Sequence, residues 1–224
     1  MKNHKSVLRF NCAALAGLTL ALAAGPACAD TIINQFDTSS EVGQWRFDFG
    51  GVTHATVFDP TLDANGNAAS GSMRITLGFI VGLGGDNKAA YTRDLFPGLN
   101  GGLFSAMSMD VRVDPGSAPD AFGNNGFFQM VIRNTGNYDY NTQFGDNLRS
   151  ADGWHHIVVS PLVGAVNDIR GVTWQLYGGP SQNLPGPVTL WIDNVVFTPV
   201  PEPSSLALAA LGALALLAHR WRRA

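Results

Sequence analysis

The chain has 224 residues, of which 46% are hydrophobic and 14% charged, and its formal net charge is −3. Residues 30–198 alone contain 8 Lys or Arg against 16 Asp or Glu, a balance of −8. An acidic surface with scattered arginines and a single lysine, Lys88, does not suit a phosphate backbone, so nucleic acid is excluded as an expected partner.

The N-terminus has the pattern of a secretory signal peptide over residues 1–29. An apolar run over residues 12–24 follows a basic start, and the small residues Ala27 and Ala29 form a cleavage site before Asp30. The basic residues are Lys2, Lys5 and Arg9. Both cysteines lie in this segment, so we expect a mature protein with neither a disulfide nor a thiol nucleophile. Signal peptidase and the general secretion machinery are the expected partners of this segment.

Residues 30–198 are expected to form one domain, built from β-strands. Short apolar runs, many of them alternating with polar residues, predict nine strands separated by stretches rich in Gly, Pro, Asn and Asp. The nine runs cover residues 45–49, 52–58, 72–77, 104–113, 126–133, 138–144, 154–160, 172–177 and 188–197. The best helical candidate is one turn at residues 163–168. About nine short strands in this length predict an all-β, antiparallel β-sandwich.

The facing of several predicted strands can be read from alternation. From Met107 to Val113 every second residue is apolar, and Phe128, Met130 and Ile132 repeat the pattern in a second strand. The last run, residues 188–197, is apolar on both faces. It is therefore expected to be a central strand, or one that lines a covered pocket.

The second half of the domain resembles a known class of modules. Trp154 with the apolar residues after it, then residues 171–177, then Leu190-Trp191-Ile192-Asp193-Asn194-Val195-Val196-Phe197, are similar to the closing strands of galactose-binding-like carbohydrate-binding modules. Phe36-Asp37 before Trp45 is similar to their first strand. The resemblance implies a jelly-roll sandwich and a structural calcium ion held by Asp37 and Asp193. The alternative is that Asp193 caps a turn or accepts hydrogen bonds from the backbone.

No catalytic motif is found in residues 30–198. Glu41 is the only glutamate there, so a glutamate pair for glycoside hydrolysis is absent. His155 and His156 are adjacent, so in a strand they point to opposite faces and cannot share a metal ion. The sequence therefore predicts a protein that is not an enzyme.

A ligand surface is predicted where aromatic residues alternate with polar ones. Tyr138 and Tyr140 alternate with Asp and Asn, and they follow Arg133 and Asn134. A sugar stacks its C–H face on an aromatic ring, while its hydroxyls bind polar groups that are held in place. These four residues, with Trp174, are therefore candidate residues for binding a polysaccharide. Trp191 is a further candidate. The alternative is that these aromatic residues are ordinary core.

The last 26 residues resemble a PEP-CTERM sorting signal, residues 199–224. Val200, Pro201, Glu202 and Pro203 precede an apolar stretch, and a basic cluster ends the chain. That cluster contains Arg220, Arg222 and Arg223. The resemblance implies processing by exosortase, and residues 204–219 would form a hydrophobic helix that crosses the inner membrane before processing. The alternative is an ordinary C-terminal anchor.

Three functional hypotheses follow from these patterns. The first is a non-catalytic protein of the cell surface or extracellular matrix that binds exopolysaccharide, as in a biofilm. The second is a secreted glycan-active enzyme of the same fold. The third is a purely structural matrix protein without a ligand.

Overall fold

The computed structural model describes residues 29–82, 84, 87–134, 140–160, 162, 168–178 and 184–200, without the side chains of 140–144. These residues form eleven strands, one short α-helix, α1 (Ser39–Val42), and two 3-10 helices, Gly101–Leu103 and Ser150–Asp152. The strands are β1 (Thr31–Asn34), β2 (Trp45–Gly50), β3 (Thr53–Asp59), β4 (Ser72–Gly78), β5 (Lys88–Leu99), β6 (Phe104–Val113), β7 (Phe127–Asn134), β8 (Tyr140–Asn147), β9 (Trp154–Val159), β10 (Ile169–Tyr177) and β11 (Val188–Pro199).

The strands pair into two antiparallel sheets. Sheet A has the order β3-β4-β11-β6-β9, and β1 pairs with the second half of β11. Sheet B has the order β2-β5-β10-β7-β8. The predicted all-β, antiparallel sandwich is confirmed, and each of the nine predicted runs overlaps an observed strand.

The core lies between the sheets and contains the side chains that the alternation assigned to it. Met107, Met109 and Val111 of β6 are fully buried, and so are Phe128 and Met130 of β7. Strand β11 pairs with β6 on one side and with β4 and β1 on the other. The prediction that the last strand is central is therefore confirmed.

Two strands were missed by the sequence prediction. Strand β5 begins with Lys-Ala-Ala and ends with Phe-Pro-Gly-Leu, residues of low β propensity and turn residues. It is held in place by pairing on both sides, with β2 and β10. Strand β1 has four residues and pairs only with β11, so its local signal is weak.

Several predicted elements lie outside the described residues. They are the signal helix in residues 1–29, most of the turn at 163–168 and the hydrophobic helix at 204–219. In the part of the chain that the structure describes, no helix is long and apolar enough to cross a membrane.

A bulge interrupts β11 beside Asp193. Asp193 pairs with Asp110 of β6, but the next pair joins Val196 to Ser108, so β11 carries one residue more than its partner. Asn194 takes up the extra residue with φ of 48°, in the left-handed region that asparagine tolerates better than most residues. The bulge leaves Asp193 fully buried and Asn194 half-buried.

Candidate functional site

The side of sheet B that faces away from the core carries a continuous set of polar side chains. In β10, Val172, Trp174 and Leu176 point into the core, so the residues between them point outward. We call this surface the polar face. It consists of a network of ion pairs at one end and, at the other end, a cluster of glutamine, tyrosine and phenylalanine side chains. Its members are Arg46, Asp48, Thr92, Asp94, Phe127, Gln129, Arg133, Thr173, Gln175 and Tyr177.

Asp48 is the centre of the ion-pair network. Its carboxylate accepts hydrogen bonds from Arg133 Nη2 at 2.6 Å and from Arg46 Nη1 at 2.5 Å. It also accepts from Thr92 Oγ1 at 3.0 Å. Thr92 has one hydroxyl proton and gives it to Asp48, so Thr173, 2.7 Å away, donates to Thr92. The network therefore links β2, β5, β10 and β7 across the sheet.

The charges of this network balance each other. Burial raises the pKa of Asp48, but hydrogen bonding to Arg46 and the charge of Arg133 outweigh burial and hold the pKa below its usual value. The hydrogen bonds to Asp94 and Asp48 raise the pKa of Arg46. Asp48 therefore stays ionised at neutral pH and is unsuited to act as a general acid.

The other end of the polar face presents planar groups. Tyr177 donates its hydroxyl to Gln175 Oε1 at 2.5 Å, and the same hydroxyl lies 3.3 Å from Gln129 Oε1. The ring of Phe127 lies 6.4 Å from that of Tyr177, and both rings are half-buried. Gln175 is buried, so the half-buried amide of Gln129 is the one that lies beside this aromatic surface, and the two together offer a sugar stacking and hydrogen bonds.

The predicted ligand residues are partly collected on this face. Arg133 belongs to it but is only 7% exposed, because its guanidinium is paired with Asp48. Asn134 is half-buried at the end of β7, and the backbone of Tyr140 pairs with Arg133. Tyr138 and the side chain of Tyr140 lie outside the described residues, so their roles stay predictions.

The prediction that Trp174 binds polysaccharide is wrong. Its ring is fully buried between Tyr91, at 4.7 Å, and Phe128, at 5.8 Å, both stacked on it. Strand β10 is the middle strand of sheet B, and the alternation that turns Gln175 away from the core turns Trp174 into it. A ligand cannot reach this ring, so Trp174 is a core residue.

Asp193 is fully buried in the bulge of β11 and is held by the backbone. Its Oδ2 accepts from the N–H of Ala64 at 2.8 Å, and its Oδ1 accepts from the N–H of Asn194 at 2.7 Å. Asp37 is exposed beside α1, and its own N–H donates to Glu41. In the described parts of the chain, no three His, Cys, Asp or Glu side chains form a group that could hold a metal ion. Calcium binding by Asp37 and Asp193 stays a prediction.

The C-terminal segment matches a known family model. Residues 199–223 match the family described as the PEP-CTERM protein-sorting motif. The chain carries a PEP-CTERM protein-sorting motif. The motif indicates export and sorting to the cell surface. No curated protein matches the chain as a whole.

The fold matches carbohydrate-binding modules of known structure. The family 11 carbohydrate-binding module of the cellulase Lic26A-Cel5E of Clostridium thermocellum has 12% identity, and the match covers 78% of this chain and 96% of that chain at a TM-score of 0.51. A family 11 module from the same organism, in complex with a β-1,3-1,4-mixed-linked tetrasaccharide, has 14% identity over 79% and 99% of the two chains at 0.52. An arabinose-bound α-L-arabinofuranosidase has 13% identity over 82% of this chain and 28% of that chain at 0.54. At these identities the likeness shows the fold alone.

The PEP-CTERM motif begins where the sandwich ends. Strand β11 runs to Pro199, and the N–H of Val200 donates to the carbonyl oxygen of Leu103 at 2.8 Å. Pro201, Glu202, Pro203 and the basic cluster at 220–223 lie outside the described residues. No spacer therefore separates the folded sandwich from Pro201.

The network around Asp48 was missed by sequence reasoning. Asp48 lies in the alternating run of β2, where it was not distinguished from other surface aspartates. Gln175 and Tyr177 alternate with the apolar residues of β10, and this pattern was a usable signal for an outward polar row. The pairing of Asp48 with Arg133 spans 85 residues, so no local pattern predicts it.

Stability should depend on pH through Asp193. The pKa of this carboxyl is raised to about 7, chiefly by burial and in smaller part by the nearby charges of Asp63 and Asp110, although its two backbone hydrogen bonds lower it. The ordinary pKa is 3.8, so the folded state binds the proton more tightly than the unfolded state. The contribution of Asp193 to the free energy of unfolding is therefore fully present below about pH 4 and is lost as the pH rises through about 7. The whole loss is at most about 4 kcal/mol.

The measurement is thermal unfolding of the wild type and of Asp193→Asn between about pH 5 and pH 8 in chelator. The wild type should lose Tm as the pH rises, and the variant, which cannot ionise at this position, should lose less. Equal slopes for the two proteins would contradict the shifted pKa. Adding calcium tests the metal prediction, since an ion bound only to the folded state adds about 2.7 kcal/mol at a hundred times its dissociation constant.

Proposed function

We propose that this protein is an exported, non-catalytic polysaccharide-binding protein of the cell surface or extracellular matrix. An exosortase processes its PEP-CTERM tail at the inner membrane, and the sandwich then binds exopolysaccharide. The observation that carries this proposal is the polar face, which lies on a sandwich with the fold of carbohydrate-binding modules.

The composition of the polar face supports a neutral glycan as its ligand. The two arginines, Arg46 and Arg133, are matched by the two carboxylates Asp48 and Asp94, so the network adds no net charge. Tyr177 and Phe127 offer ring surface, and Gln129 lies beside them. A sugar ring placed on Tyr177 would have the amide of Gln129 within reach of its hydroxyls.

The same network supports a binding rather than a catalytic role. Glycoside hydrolysis needs two carboxyl groups, one of which must carry a proton near neutral pH. Arg46 is hydrogen-bonded to both Asp48 and Asp94, at 2.5 and 3.0 Å. A carboxylate paired with a guanidinium holds its charge and gives up no proton. The network therefore favours binding over the glycan-active enzyme.

The test removes the ring of Tyr177. We expect Tyr177→Ala to weaken retention by mixed-linked β-glucan, or by polysaccharide shed from the producing cells, by about tenfold, which corresponds to ~1.4 kcal/mol. Tyr177→Phe should keep most of the retention, because it keeps the stacking surface. Retention is measured by affinity electrophoresis of the exported protein, and Tm is recorded for each variant.

Phe122→Ala is the matched control, since Phe122 is an aromatic residue that is 77% exposed in the loop after β6. It should leave retention and Tm unchanged. A folded Tyr177→Ala protein with the same retention as the wild type would remove the polar face as a glycan site. Release of reducing sugar from the same polysaccharides would favour the enzyme hypothesis, and no retention at all would favour the purely structural one.

A further inference from the structure

A cavity of about 550 Å³ opens on the outer face of sheet A, the sheet opposite the polar face. It lies where β1, β6, β9 and β11 run side by side, and the loop after β3 closes one end. Its volume is in the range of pockets that hold small ligands. Nothing in the polar-face network contributes to its wall.

The floor of this cavity pairs an aromatic ring with a carboxylate. Trp154 of β9 is opposite Arg112 in the register, and His156 is opposite Asp110, so Trp154 and Asp110 are diagonal neighbours on one face. Trp154 is half-buried, so part of its ring faces the cavity. Ile32 of β1, which is 52% exposed, adds apolar surface to the rim.

The carboxylate of Asp110 is held in a fixed orientation. His156 Nδ1 donates to its Oδ1 at 2.7 Å, and Asn194 Nδ2 donates to its Oδ2 at 2.8 Å. Asn194 Oδ1 in turn accepts from Asn65 Nδ2 at 3.3 Å. The Asp110 side chain is only 14% exposed, and each of its oxygens keeps a second lone pair. The bulge in β11 places Asn194 here, so the acceptor is organised before any ligand arrives.

The charge of the lining selects among sugars. Its ionisable groups are Asp30, Asp110 and His156, so with His neutral the wall carries two negative charges. Removal of the signal peptide adds one amino group at Asp30, which leaves the wall negative. A sugar carboxylate or sulfate would be repelled, whereas hydroxyl and ammonium groups would be attracted.

We propose that this cavity is a second glycan site, which takes sugar units without an acidic group by stacking them on Trp154 and binding their hydroxyl or amino groups to Asp110. The site is built from other strands than the polar face and does not depend on it. Together the two sites would let one molecule hold two polysaccharide chains on opposite faces.

The experiment measures binding of three tetrasaccharides to the exported protein by calorimetry at constant salt. The probes are N-acetylglucosamine tetramer, glucosamine tetramer and galacturonic acid tetramer. We expect the first two to bind and the third not to bind. The titrations are made in the Tyr177→Ala background, which disables the polar face and should retain binding at the cavity. In that background Trp154→Ala should weaken binding of the first two by at least about tenfold.

A second variant keeps the test decisive if Trp154→Ala fails to fold. Ile32→Arg places a long side chain in the rim from an exposed position, and it should block both probes while the protein keeps its Tm. Val57→Arg is the matched control, because Val57 is also 52% exposed and lies in sheet A but does not line the cavity. Absence of binding by the first two probes, tighter binding of the galacturonic acid tetramer, or binding unaffected by both Trp154→Ala and Ile32→Arg would each overturn the proposal.

Discussion

Replacing Glu202 with alanine is expected to leave uncut precursor in the inner membrane of a host that carries an exosortase. Glu202 stands between two prolines in the sequence, and because proline fixes φ and lacks an N–H donor, we expect a segment without helix that a processing enzyme can bind as a strand. Deleting residues 220–224 should have the same effect, because by the positive-inside rule we expect the arginines to hold the C-terminus on the cytoplasmic side. The measurement is cell fractionation followed by detection of the precursor and the processed form.

The matched control keeps the positive charge of the basic cluster but replaces its guanidinium groups by ammonium groups. Arg220, Arg222 and Arg223 replaced together by lysine should be processed normally, since the orientation rule depends on positive charge and lysine also reaches the headgroups. Normal processing of Glu202→Ala and of the deletion would show that the tail acts only as an anchor. Failure of the lysine variant would show that the enzyme reads the guanidinium groups themselves.

Replacing Trp174 with alanine is expected to cost about 3 to 5 kcal/mol of unfolding free energy. The ring is fully buried and stacked between Tyr91 and Phe128, so its removal leaves a large cavity in the middle of sheet B. Such a loss is a large part of the stability of a domain of this size. The measurement is urea unfolding of the purified protein.

Trp174→Phe is the control, because it removes the indole N–H but keeps an aromatic ring in the core. In the described structure the indole N–H of Trp174 has no hydrogen-bond partner, so phenylalanine loses packing volume but no bond. It should therefore cost clearly less than alanine. A folded, stable Trp174→Ala protein with weakened glycan retention would instead restore Trp174 as a ligand residue.

The sequence allowed the architecture to be predicted where the signal was local. The alternation from Met107 to Val113 is strict, so its facing could be assigned without knowledge of any partner strand. The apolar character of β11 on both faces predicted a central strand or one that lines a covered pocket, and the structure places β11 between β4 and β6. Strand β5 had no such signal, because its ends contain Ala-Ala and Pro-Gly and its place depends on long-range pairing.

The candidate sites were harder to predict because their parts come from distant strands. Arg133 was proposed from its neighbours in sequence, yet its partner Asp48 lies in β2. Trp174 was predicted to bind a ligand because the sequence alone does not show whether an aromatic residue of a strand lies on the core face or on the outer face of the sheet. The pairing of the strands settles this. Asp110 and His156 are separated by 46 residues, so the cavity on sheet A leaves no pattern in the chain.

The pairing of β1 with β11 has a practical consequence for labelling. Thr31 is opposite Phe197, so both ends of the sandwich leave it at the same place, and Asp30 and Thr198 both line the sheet A cavity. A fluorescent protein or a surface linker fused to either end would crowd that cavity. From the level of these ends, which is opposite Ala106, strand β6 carries the chain about 23 Å away, to the loop that contains Phe122. A reporter inserted in that loop would leave both ends and the cavity free.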